Sequence, residues 1–129
     1  MTLDATPDHT EFTCSTLFKS VVQAAVRAWE LSGHQCQLQV HVPGQTGPLE
    51  TVSVPSVHRI EIVVDTAPTD NVWDALAELA LNHVWELCAL VPQNTLGKAH
   101  ELLREHGFEL QGWWLRDNGA IGFGAVEKA

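Results

Sequence analysis

Histidine, cysteine and paired carboxylates are the residues of this 129-residue chain that could do chemistry. A metal site needs ligands at close, face-matched spacing. His34 and Cys36 are two apart at the entrance to a strand, and His100 and His106 are six apart on different sides of a helix. His83 and Cys88 are five apart, about 140° around a helix. None of these matches a metal spacing, and Cys14, Cys36 and Cys88 form no CxxC pair. A phosphate-cradling loop needs GxxxxGK followed by Ser or Thr. Here Gly97 and Lys98 are followed by Ala99, with no glycine at position 92, and the PGQTG run at 43–47 leads into no helix. There is no GxSxG and no tyrosine. Asp74 and Glu78, then Glu101 and Glu105, lie one helical turn apart on polar faces, the usual place for solvated carboxylates. No catalytic residue, metal or cofactor follows from these patterns.

His83 is the exception to an otherwise regular pattern. The run from about Asp70 to Val91, stopped by Pro92, repeats apolar residues at Val72, Leu76, Leu79, Ala80, Leu87 and Leu90 with helical period. On that helix His83 falls among the leucines, and Trp85 falls among the polar residues. Such a histidine is either a neutral core residue bonded to a buried acceptor or a ligand-handling group at the floor of a pocket. His58 and Cys88 are the other groups expected near such a pocket.

The remaining elements read from periodicity and punctuation. Residues 1–10 form a polar arm containing Pro7, with a short strand at 11–15, and residues 11–129 make one α+β domain. A first helix runs from about Thr16 to Ser32 with Leu17, Phe18, Val21, Val22, Ala25, Ala28 and Trp29 on one side. Cys36–Val42 alternates apolar and polar residues, as a half-buried strand does. PGQTGP turns the chain into a second strand ending at Pro55, and a third follows from His58 to Asp65. The helix at 70–91 and a shorter one at 95–106 come next. Phe108–Arg116 and Ala120–Val126 then form a hairpin around Asn118 and Gly119 as a two-residue turn. That register sets Trp113 opposite Gly124, Leu115 opposite Gly122 and Trp114 opposite Phe123. The expected fold is a largely antiparallel five-stranded sheet with helices on one face, in the order α-β-β-β-α-α-β-β.

The helix-free face of that sheet should carry Gln37, Gln39, His41, Arg59, Glu61, Val63, Glu109, Gln111, Trp113 and Leu115. Trp113, Leu115 and Val63 would make an apolar patch on it, a fit surface for a protein partner. Trp85 is a second exposed aromatic. The formal charge of −9, with seven scattered Lys and Arg, argues against nucleic acid and anionic membrane. No apolar run is long enough for a membrane span, and the polar start with unpaired cysteines fits a cytoplasmic protein. In element order, size and acidity the chain resembles small acidic secretion chaperones, which dimerise around an extended client, although it lacks their closing helix. The first expectation is therefore a homodimer, or a binder of another protein, acting through the sheet face. The second is a small enzyme or ligand-binding protein with its pocket between sheet and helices around His83.

Overall fold

The computed structural model describes residues 16–41, 49–65, 71–81 and 84–129. The expected arm at 1–10, the strand at 11–15, the PGQTGP turn, the start of the second helix and His83 lie outside the described residues. Helix α1 (Thr16–Leu31) leads into strands β1 (Gln37–His41), β2 (Leu49–Val54) and β3 (Arg59–Val63). Helix α2 (Asn71–Leu81), strand β4 (Glu86–Pro92) and helix α3 (Leu96–Leu103) follow, and the chain closes with strands β5 (Phe108–Leu115) and β6 (Ile121–Lys128). The six strands lie side by side in chain order. The outer pairs β1–β2, β2–β3 and β5–β6 are antiparallel, whereas β3–β4 and β4–β5 are parallel. The α+β class holds, but the sheet has six strands and is mixed.

The extra strand comes out of the long helix expected at 70–91. Helix α2 stops at Leu81, and Glu86–Pro92 is extended. The run Leu87–Cys88–Ala89–Leu90–Val91 is buried at every position. Leu87, Ala89 and Val91 face α2 and α3, while Cys88 and Leu90 face α1. A central strand covered on both faces shows no alternation, so its apolar run satisfies a helical period as well as a strand. Inserting this strand makes its neighbours parallel, and parallel neighbours need crossovers. Helices α2 and α3 supply them on one face, where Val72, Trp73, Leu76, Ala99 and Leu103 pack on Ile60, Ile62, Ala89 and Leu110. Helix α1 covers the other face, so helices flank the sheet on both sides rather than on one.

The C-terminal hairpin turns through three residues, not two. Arg116 N–H donates to Ala120 O at 2.8 Å, and Gly119 N–H donates to Arg116 O at 2.9 Å. Asn118 Oδ1 accepts from Ala120 N–H, and Gly119 sits at φ +87°. This is the three-residue loop that ends in a left-handed residue. It shifts the pairing by one, to Trp113 with Phe123, Trp114 with Gly122 and Leu115 with Ile121. A one-residue shift exchanges the faces that one strand shares with the other, so Phe123 joins the face of Trp113 rather than that of Trp114. Trp114 therefore lies over Gly122, in place of the expected Leu115, and an added Cβ there would come within 2.6 Å of the indole. Gly119→Val puts a branched side chain into the left-handed region and should cost about 1–2 kcal/mol. A thermal melt of the variant that matches wild type would refute this turn geometry.

Candidate functional site: a cleft between helix α1 and the sheet

Helix α1 closes on the sheet at one end and leaves it open at the other. Phe18, Val21, Val22 and Ala25 pack on Val52, Val63, Cys88, Leu90 and Trp113. The helix ends in a glycine cap, with Gly33 at φ +87°, Gly33 N–H donating to Glu30 O and His34 N–H to Trp29 O. Between its last two turns and the sheet is a cleft of about 460 Å³. Ala25, Ala28 and Trp29 line it from the helix, Ser32 from the turn after it, and Phe123 and Val126 from β6. Arg59, Glu61, Leu90, Glu109 and Gln111 come from the three central strands. Trp29 meets the His34 ring edge-on at 5.5 Å, and His34 Nδ1 lies 2.7 Å from Ser56 Oγ, which ties this wall to the turn before β3.

Strand register brings the charged groups together. Arg59 pairs with Glu86 across β3 and β4, Glu61 pairs with Cys88, and Cys88 pairs with Glu109 across β4 and β5. All five side chains lie on the α1 side. Arg59 Nη1 donates to Glu109 Oε1 at 2.7 Å and to Glu86 Oε1 at 2.9 Å, and Arg59 Nε contacts Glu61 Oε2 at 3.4 Å. Arg59 and Glu61 are buried, whereas the Glu86 side chain is 61% exposed. Burial works to lower the pKa of the guanidinium, but the bond to Glu109 and the charge of Glu61 and the bond to Glu86 outweigh it and hold the group firmly charged. Gln111 Nε2 donates to Gly124 O at 2.8 Å and fixes the amide at the cleft wall.

Cys88 lies beneath this cluster, fully buried. Burial pushes its thiol up to about 12; Arg59 opposes the shift, and Glu61 and Glu109 reinforce it. The unfolded thiol titrates near 8.5. A raised folded pKa contributes stability that is complete below about 8.5 and is lost as the pH climbs towards the folded value. Cys88 should therefore resist iodoacetamide in the native protein at pH 8, while partly exposed Cys36 is modified faster. Mass-spectrometric mapping that finds Cys88 alkylated at least as fast as Cys36 would contradict this placement.

The described residues singled out from the sequence are dispersed rather than gathered at one site. His58 is exposed at φ 52° after a short 3-10 turn, with its ring 5.3 Å from that of Trp85. Trp85 is half-buried between α2 and β4 and packs against the α2–α3 core, not on the polar side of a helix. Cys88 is on the opposite, α1 face, so His58 and Cys88 share no pocket. Val63 and Trp113 lie beneath α1 instead of on an open face, and Trp113 Nε1–H donates to Val64 O at 3.2 Å. Leu115 is exposed, at the end of β5. The expected apolar patch is thus mostly core, because α1 covers it. Gln39 belongs to the other face, where it neighbours Thr51, Ser53 and Leu79.

Alternation along β3 and β5 does assign Arg59, Glu61, Glu109 and Gln111 to one face, where the structure has them. What the sequence reading missed is that α1 roofs that face and makes the four into a site. The available signal was α1 itself, whose apolar side had to be buried somewhere, and Arg59, one of seven basic residues, flanked at i+2 by Glu61 in a strand. Among the described residues, no group of three or more His, Cys, Asp or Glu could hold a metal ion, and no helix is long and apolar enough to cross a membrane. Comparison with protein-family models, curated proteins and solved structures finds no match.

Proposed function

We propose that the protein binds a small organic ligand in the cleft between α1 and the sheet. The observation that carries this reading is the charged floor of the cleft. Taking an arginine and a glutamate out of water in the middle of a sheet is expensive, and apolar residues of similar volume would fill the same space at no such cost. Polar groups convergent in a mostly apolar cleft are what a ligand site needs for orientation and specificity. The volume lies in the range of small-molecule sites, and Trp29, Phe123, Val126 and Leu90 supply apolar contact beside the polar floor. This reading keeps the ligand-binding alternative drawn from the sequence but centres it on Arg59 rather than His83. It ranks above self-association through the sheet face, because Trp113 and Val63 are not available as contact residues.

The test is a blocked variant. Ala28 lines the cleft and is itself exposed, so Ala28→Trp should fill the space without disturbing the core. A fragment library screened by amide chemical shifts should yield compounds that move the signals of Ala28, Ser32 and Gln111. Those compounds should lose at least about tenfold in affinity for Ala28→Trp, while its melting temperature stays at the wild-type value. Compounds that bind both proteins equally would place the binding elsewhere.

A further inference from the structure

The cleft carries a charge preference that narrows its ligand. One guanidinium faces three carboxylates, Glu61, Glu86 and Glu109. The two short contacts of Arg59 both leave from Nη1, one to Glu86 and one to Glu109. Glu61 is left with the long contact of 3.4 Å from Nε, and the thiols near it, Cys36 and Cys88, bring no positive charge. Its side chain is 7% exposed and lines the cleft. An ionised carboxylate offers about four acceptor positions, and a buried one that is under-filled calls for a donor. Arg59 is the sole basic residue among those lining the cleft, and its charge is already matched. An anion entering here would meet uncompensated negative charge, whereas a cation would complete the set. The indole of Trp29 and the ring of Phe123 line the same space, and aromatic faces attract cations.

Resting on the ligand-binding reading above, we infer that the ligand is an organic cation with an apolar body, its charged N–H group donating to Glu61 and its body lying between Trp29 and Phe123. Glu61 is the specificity-determining residue. Arg59 is a positioning residue that holds Glu86 and Glu109 in place and leaves Glu61 for the ligand.

Three probes of one shape separate charge from fit: tryptamine, the neutral indole-3-ethanol and the anionic indole-3-propionate. Each is titrated into the full chain at low salt and followed by the amide shifts of Ala28, Ser32 and Gln111. Tryptamine should bind at least about tenfold more tightly than the neutral probe, and the anion more weakly still. Added salt should weaken tryptamine alone. In Glu61→Gln the tryptamine advantage should fall to about threefold or less, with binding of the neutral probe retained; that retention also reports an intact cleft. Glu109→Gln serves as the second variant and should lower the tryptamine advantage less than Glu61→Gln does. If the neutral or anionic probe binds this cleft as tightly as tryptamine, the cation assignment falls and the ligand-binding reading stands. If Glu61→Gln keeps the full preference, Glu61 does not set it. If none of the three moves these amides at millimolar concentration while the fragment screen finds cleft binders, the cation assignment again falls alone. If the screen fails as well, both fall.

Discussion

Arg59→Met should lower the stability of the protein at pH 7 by about 3 kcal/mol. The methionine replaces most of the apolar stem of the arginine, so the loss is one of charge compensation, not of volume. Three carboxylates lose their shared cation. Glu86, at 61% exposed, and to a lesser degree Glu109, at 24%, can turn towards water. Glu61, at 7%, cannot. The greater part of the penalty therefore resides in one buried carboxylate, and removing that charge should recover it. Arg59→Met combined with Glu61→Gln should be more stable than Arg59→Met alone by more than half of the original loss. Arg59→Lys should fall between wild type and Arg59→Met, because an ammonium keeps the charge but cannot reach three carboxylates from a planar fork. Urea unfolding at constant ionic strength measures all three. A loss below about 1 kcal/mol for Arg59→Met would mean that the cluster behaves as exposed ion pairs do. Equal stability of the single and double variants would mean that Glu61 is not the strained partner.

How far the sequence carries towards this cluster depends on how each strand is buried. In β3, Arg59, Glu61 and Val63 alternate with Ile60 and Ile62, and period-two reading sorts the two faces correctly. In β4 both faces are covered, the alternation vanishes, and the residues join the helical pattern of α2 before them. That merger hides a strand, and with it the parallel centre of the sheet, the crossovers and the layer on each side. It also hides Cys88 and Glu86 as neighbours of Arg59, since both belong to β4. The same loss carried the expected helix past Leu81, where α2 ends. The hairpin failed for another reason. Asp117, Asn118 and Gly119 suit a two-residue and a three-residue turn alike, and only the backbone bonds of Arg116 and Ala120 distinguish them. Gly119 was legible as the turn residue; the count of residues in the loop was not, and the β6 residues that oppose Trp113 and Trp114 follow from that count.

Trp113→Ala tests the cover that α1 places over this face of the sheet. With Trp113 on an open face, truncation would weaken a contact between molecules and leave folding nearly untouched. With Trp113 at 2% exposed beneath α1, truncation empties a space between Phe18, Val63 and Leu90 and should cost about 3–5 kcal/mol. It also removes the indole N–H that donates to Val64 O. Trp113→Phe isolates that second loss, since it keeps an aromatic ring under the helix and leaves a buried carbonyl without this donor. Its cost should be about 1–3 kcal/mol. Chemical unfolding of wild type and both variants gives the two figures, and sedimentation equilibrium on the same samples reports the assembly state under native conditions. The burial of Trp113 predicts a large fall in unfolding free energy for the alanine variant, a smaller one for phenylalanine, and the same native assembly state for both as for wild type. An alanine variant as stable as wild type but altered in association would return Trp113 to the surface and remove α1 from this face. The cleft between α1 and Arg59 would go with it, so this one substitution tests the helical layer and the proposed site together.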